Sequence, residues 1–447
     1  MKLPVSPPSL DELLGRLPAE RLRVILREVR DPGPGDRWLH WNDLRGRRPP
    51  ADLSPEEWWA GIRLLRGAML RELPFRDPEG RPFLVAFPDS VLALLHEIDL
   101  LGRIELANLD VPPAARERYV RSSLEEEAIQ TSLLEGAATT YGEAKDMLRT
   151  GRPPRNRGER MVLGSYRGLE MARESAREPL TPEFILALHE TITRDTLDDP
   201  GAAGRLRTDG DRVQLVDTRD GTILHGPPPA GRIPAYLETI CDFANGKKGT
   251  RQGRFLHPIA RAIVLHFMIS WVHPFVDGNG RVARALCQWS MLRDGYWLAE
   301  FFSLSRIVRG QRGKYRRAFL ETETDGNDVT YFLLWHLRAL RRAIDELHRY
   351  LRKREERVRE VEALLSRKGE FNYRQLALLS HALRHPDATY TIEQHRRFHR
   401  VVYETARRDL LDLAERGWLV KRRRGKAFVF AGGDRLGALV GRRRPGR

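Results

Sequence analysis

The chain has 447 residues, 41% hydrophobic and 31% charged, a balance that suits two or three globular domains, each burying its own core. A formal charge of +16 raises nucleic acid as a partner, but arginine is spread along the whole sequence, so most of the excess reads as solvated surface; the basic stretches at 421–424 and 442–444 stand apart. The sequence has no apolar run of about twenty residues to span a bilayer and no secretory-signal core at its start. Its two cysteines, Cys241 and Cys287, are too few and too far apart for a zinc site or a structural disulfide, so the expected address is the cytoplasm.

In chain order, residues 1–88 read as an N-terminal helical region. Amphipathic helix is predicted from Leu10 to Val29, interrupted at Pro18, and a Pro/Gly cluster at 31–35 ends it. Trp38, Trp41, Trp58 and Trp59 read as the core of a small helical subdomain, with Ser54 as an N-cap and Pro55 at the first helical position. Helical period covers Asp89 to Leu101. A second helix is predicted from Ser122, since Ser122 and Ser123 each meet a glutamate three residues on. It should stop at Glu135-Gly136, with glycine where a C-cap belongs. Thr140 with Glu143 opens another helix, and 152–158 reads as a loop. Beyond a helix from Thr181 to Ile192, two short strands at 212–216 and 222–224 flank an Asp-Gly turn, a hairpin signal. Helices then run from Ile233 to Ala244, His257 to Trp271, Val282 to Arg293, and from Thr330 past Arg354.

After about residue 365 the texture changes. Two helical stretches, from Phe371 to Leu383 and from Glu393 to Arg416, precede strands at 418–420 and 427–430 around a basic turn. That order fits a winged helix-turn-helix over 356–447, with Thr405 to Leu410 in its recognition helix. The predicted fold class is mainly α: a helical bundle over 89–355 with a β-hairpin, followed by a small α+β domain.

The chemistry concentrates in His273-Pro-Phe-Val-Asp-Gly-Asn-Gly-Arg-Val-Ala-Arg284. An apolar helix delivers His273 at its end. Gly278 and Gly280 let the backbone at the start of the next helix approach a ligand closely, and such a start binds phosphate oxygens through its free N–H groups. Arg281 and Arg284, one turn apart, can hold several phosphate oxygens from the same side. Asp277, just before this anion nest, needs a cation to bridge it to phosphate, and Mg²⁺ held by one carboxylate plus phosphate oxygens answers that need. His273 then suits a base that takes the proton of a hydroxyl nucleophile. Phe275 is expected to pack inward and fix the loop. These parts point to an enzyme acting on a nucleotide.

The segment resembles, without departure, the Fic family signature His-Pro-Phe-x-(Asp/Glu)-Gly-Asn-Gly-Arg-x-x-Arg. The resemblance implies a helical bundle with a β-hairpin flap and transfer of AMP from ATP to a Tyr, Thr or Ser hydroxyl of a target protein. It implies His273 as base and Asp277 as Mg²⁺ ligand. It puts Gly278, Asn279, Gly280 and Arg281 on the α- and β-phosphates, and Arg284 on the γ-phosphate. The hairpin from about Val213 to His225 would lay the target segment in extended form by strand addition. Tyr315 would sit near the adenine. Gly280 is the position where the phosphate-transferring Doc-like branch carries lysine, so its presence here favours nucleotidyl transfer.

Thr131-Ser-Leu-Leu-Glu135-Gly136 resembles the family's inhibitory motif, on a helix at about 122–136. Glu135 is expected to form a bidentate pair with Arg284, occupying the guanidinium that the γ-phosphate needs. The leading expectation is thus a self-inhibited protein adenylyltransferase with ATP as substrate and Mg²⁺ as cofactor. One alternative is the reverse, de-AMPylating reaction or both directions. Another is a DNA-binding regulator working through Arg407, Arg408 and the basic wing at 421–426. DNA and a second copy of the chain are further candidate partners beside the target protein; a membrane is not.

Overall fold

The structure, a computed structural model, describes residues 2–35, 37–107, 113–211, 213–216, 221–246, 255–367, 369–385, 388–424 and 427–439. Local signals place many helix starts. Ser54 and Thr140 each close a capping box, with Glu57 and Glu143, at the heads of helices Pro55–Met69 and Tyr141–Thr150. Pro18 separates helices Leu10–Arg16 and Ala19–Glu28. Trp41, Trp58 and Trp59 pack into one apolar cluster with Ile25 and Leu44, and Trp38 donates to Asp328 at 2.8 Å.

Several boundaries differ from the sequence reading. Ser122 does not begin a helix: the chain is already helical from Pro113 through Leu134, with the proline at its head. The helix from Asp89 extends to Ala107 rather than Leu101. An 18-residue helix, Arg157–Glu174, begins inside the stretch taken as loop, capped by Asn156, whose side chain accepts from the Glu159 N–H. A second antiparallel hairpin, Arg71–Arg76 with Pro82–Val85, was also missed.

The centre of the bundle is helix Pro258–Val272. Twelve of its 15 residues are buried, on every side of the helix, which is the pattern of a helix surrounded by others. It packs along helix Asn279–Arg293, itself mostly buried, while Pro182–Thr193, Arg157–Glu174 and Ile233–Ala244 wrap the pair. Among the described residues no helix is long and apolar enough to cross a membrane. The predicted hairpin forms as strands Leu215–Val216 and Ile223–His225, antiparallel, with Leu215 opposite His225. Arg212 and the turn at 217–220 lie outside the described residues.

The chain divides into two compact units, residues 1–108 with 121–344, and 109–120 with 345–447. The second has its own apolar core, including Leu379, Leu410, Leu413, Trp418 and Phe430. Its elements run helix Tyr373–Arg384, strand Thr389–Tyr390, helices Ile392–His399 and Tyr403–Glu415, then strands Leu419–Arg424 and Ala427–Gly432. The last strand lies between the other two in an antiparallel sheet. Arg407 pairs with Glu404 at 2.9 Å on the exposed side of its helix. Residues 425–426 of the basic turn and 442–444 of the tail lie outside the described residues.

Candidate active site

The buried helix Pro258–Val272 ends at His273, whose backbone turns left-handed at φ 50° and whose N–H still bonds Ile269 O at 3.1 Å. A left-handed non-glycine residue carries strain and needs support. Arg207 provides it: Nε donates to His273 O at 2.7 Å, and Nη2 donates to Pro228 O at 2.6 Å and to Val272 O at 3.3 Å. A guanidinium over the last carbonyls of a helix satisfies groups that would otherwise be orphaned. The Asn279 side chain ties the loop from the other end, accepting from Phe275 N–H at 3.0 Å and donating to Phe275 O at 2.8 Å.

Phe275 is fully buried, as expected, and stacks on His189 with ring centroids 3.7 Å apart. His189 accepts from the Gly204 N–H at Nδ1, 3.0 Å, so Nε2 carries the proton and donates to Asp277 O at 3.0 Å. Burial holds this ring neutral, with its pKa pushed down to about 4.

Gly278 precedes the next helix at φ 85°, and a Cβ there would stand 2.7 Å from Thr193 Cγ2, so both its conformation and its space require glycine. The first-turn N–H groups of helix Asn279–Arg293 form the cradle. Arg281 is fully buried; Nη1 donates to Ile192 O at 3.2 Å, Nη2 lies 3.5 Å from Asp277, and Nε has no hydrogen-bond partner among the described residues. Asp277 is exposed, with Oδ1 accepting from Gly278 N–H at 2.6 Å. Its hard oxygen donors beside the cradle fit Mg²⁺ shared with phosphate.

His273 Nδ1 lies 3.1 Å from Ser270 O. A carbonyl only accepts, so Nδ1 holds the proton and Nε2 is left with its lone pair. Burial lowers the ring's pKa to about 4, so it is neutral near pH 7. The ring lines a pocket whose wall also includes Gly280, Arg284, Glu135, Tyr315 and Leu224 of the hairpin. Tyr315 bonds His266 Nε2 at 3.0 Å through its hydroxyl, and burial pushes its phenol up to about 12.

Glu135 reaches this pocket through a specific helix ending. Gly136 N–H bonds Leu133 O at 3.3 Å and Ala137 N–H bonds Ser132 O at 2.9 Å, with Gly136 at φ 88°. This paired closure sets Glu135 as the last residue before the left-handed turn. Its Oε1 accepts from Arg284 Nη2 at 2.6 Å, while Arg284 Nε donates to Thr131 Oγ1 at 2.7 Å. The pair thus uses one carboxylate oxygen, not the bidentate fork expected, and Thr131 takes the adjacent Nε–H. Burial alone would push the Glu135 carboxyl up, but Arg284 more than offsets it and holds the group below the usual carboxylate range. A Cβ on Gly280 would fall 2.3 Å from Oε1, so the carboxylate rests directly on the cradle's glycine.

Sequence reasoning named the cradle, base and carboxylate but missed Arg207, His189, His225 and Glu323. Arg207 and His189 act from loops and helices outside the motif, and a single arginine or histidine there carries no local signal. His225, on the hairpin, donates from Nε2 to Trp271 O at 2.8 Å and pairs through Nδ1 with Glu323.

A histidine at a helix end, a glycine-flanked helix start and two buried arginines thus lie together around the head of helix Asn279–Arg293. Residues 179–291 match the Fic/DOC family. It is 27% identical over 222 residues to the protein adenylyltransferase fic-1 of Caenorhabditis elegans, covering 48% of this chain and 40% of that protein. It is 26% identical over 250 residues to the protein adenylyltransferase Fic of Nematostella vectensis, covering 55% and 53%. The chain thus spans about half, or less, of the length of these curated relatives. A crystal structure of a Fic family protein from Desulfovibrio desulfuricans G20 aligns with a TM-score of 0.50 at 20% identity, over 78% of this chain and 97% of that one, a likeness of fold.

Proposed function

We propose that the chain is a self-inhibited protein adenylyltransferase that moves AMP from ATP to a Tyr, Thr or Ser hydroxyl of a target protein. The observation that carries this reading is the Glu135 carboxylate seated on Gly280 and bonded to Arg284, beside a neutral His273 with one free nitrogen. In the reaction the acceptor oxygen bonds the α-phosphorus as the bond to the bridging oxygen of the β-phosphate breaks. His273 Nε2 takes the acceptor's proton, and pyrophosphate leaves with the electron pair. The N–H groups at the head of helix Asn279–Arg293 and the Arg281 guanidinium stabilise charge on the α- and β-phosphates. Arg284 takes the γ-phosphate once Glu135 leaves. Tyr315, in the pocket wall, would sit near the adenine. Asp277 would hold Mg²⁺, which when bound neutralises charge on the polyphosphate. The target segment would add to the hairpin, where Leu215, Val216 and Ile223 are all exposed.

The test is labelling with ATP radioactive at the α-phosphate. Glu135→Gly should raise protein labelling well above wild type, and adding His273→Ala should abolish it. Equal labelling of wild type and Glu135→Gly would remove the brake. Mass spectrometry of a lysate treated with the Glu135→Gly protein would identify the added group and the acceptor. A second reading, removal of AMP from a modified target, is favoured by the position of Glu135 in the pocket wall, where a carboxylate can also align a water. Release of AMP from a modified protein by wild type, lost in Glu135→Gly, would support it.

A further inference from the structure

His225 is the last residue of strand Ile223–His225, and it reaches past its own hairpin in two directions. Nε2 faces the carbonyl oxygen of Trp271, two residues before the base, at 2.8 Å. Nδ1 faces the carboxylate of Glu323, near the end of helix Arg312–Thr324, which also carries Tyr315. A carbonyl and a carboxylate only accept, so both ring nitrogens must donate, and the ring that satisfies both is the imidazolium. All three parties, His225, Trp271 and Glu323, line the same pocket as His273 and Glu135.

We infer that His225 is a positioning residue: as an imidazolium bridging Glu323 and the Trp271 carbonyl, it latches the hairpin to the last turn of the base-bearing helix. This rests on the proposed adenylyltransferase reading. The latch fixes the edge on which the target segment lies relative to His273, so it governs where the acceptor hydroxyl stands. It does not touch the cradle at Gly278–Gly280.

The surrounding charges agree. Burial and the nearby Arg207 would lower the His225 pKa, but Glu323 more than offsets them and the net direction is upward. The charge on His225 in turn helps hold His273 down, secondary to burial. The signs are therefore opposite for two rings in one pocket. His225 is charged below its raised pKa and lets go as pH rises through it. His273 stays neutral until the pH falls toward about 4. Neutral base and charged latch coexist in the window between.

The experiment uses the full chain carrying Glu135→Gly, labelled with ¹⁵N-histidine. At about pH 7.5 both nitrogens of His225 should read as protonated, assigned by their loss in His225→Gln, and Glu323→Gln should leave burial and Arg207 unopposed and lower the pH at which the ring gives up its second proton. With the Glu323→Gln and His225→Gln variants, AMP incorporation into protein should fall about ten- to a hundredfold, as expected for a misplaced acceptor. Their affinity for MgATP, by calorimetry, should stay within about twofold. The high-pH limb of labelling should move to lower pH in Glu323→Gln. A His225 ring neutral at that pH, unchanged labelling, or MgATP affinity falling in step with labelling would each overturn the latch. If the Glu135→Gly parent transfers no AMP while His225 remains doubly protonated, the adenylyltransferase reading fails and the bridge itself stands.

Discussion

Gly280 decides what can occupy the cradle. A methyl group there would press within 2.3 Å of the Glu135 carboxylate and 3.0 Å of Arg284 Nη1. Removing Glu135 removes the first clash and leaves the second, together with loss of room for phosphate. Gly280→Ala in the Glu135→Gly protein is therefore expected to weaken MgATP binding about tenfold or more by calorimetry, with unchanged affinity placing the phosphates elsewhere. His273 offers a second test at this scale. Since burial holds its ring neutral down to about pH 4, labelling by the Glu135→Gly protein should stay level as pH falls from about 7 to about 5, then drop as the ring takes a proton. A decline centred between about pH 6 and 7 would show an ordinary, solvated histidine.

At the scale of elements, the loop between the two central helices is tied by the Asn279 side chain, which bonds both main-chain groups of Phe275. Asn279→Ala deletes both bonds to the Phe275 backbone and leaves two buried main-chain groups unpaired, so it should lower global stability by about 1–3 kcal/mol, read as a fall in Tm. An unchanged Tm would mean that Asn279 serves the ligand alone. This also explains what could be read in advance. The signature segment was legible because its chemistry is local: glycine for the cradle, arginines one turn apart, a histidine at a helix end. The N-caps at Ser54 and Thr140 and the stop at Gly136 were legible for the same reason. What escaped was tertiary. Helix Arg157–Glu174 begins directly after a Pro-rich stretch that reads as loop, and its four glycine and serine positions on the buried side (Gly158, Gly164, Ser165, Gly168) blur the apolar period. Those small residues are there because neighbours come close: a Cβ on Gly164 would meet Ile192 O at 2.4 Å. Arg207 and His189 reach the motif only after the chain has folded back on itself.

For the whole molecule, the two compact units have separate cores, so damage to one should spare the chemistry of the other. Asp409 tests this. It is buried in the second unit, accepting from Arg374 at 2.6 and 3.1 Å and from Asn372 at 2.8 Å, with His395 at 3.3 Å. Burial pushes its carboxyl up, but Arg374 and its other donors more than offset this, so its contribution to stability is present at neutral pH and is lost in acid. Asp409→Ala takes the shared acceptor from Arg374, Asn372 and His395 and should destabilise that unit by about 1–3 kcal/mol, seen as faster amide exchange in helices Tyr373–Arg384 and Tyr403–Glu415. MgATP affinity of the Glu135→Gly protein should not change. Loss of both together would show that the units fold as one.

The seat of Glu135 on Gly280 has one more consequence. In the proposed reading the blocking group is a surrogate anion belonging to the same molecule, so its local concentration is set by the chain and not by the solution. Dilution would leave repression intact, and raising the nucleotide would compete only against a fixed tether. Release would instead require something that unseats the end of helix Pro113–Leu134.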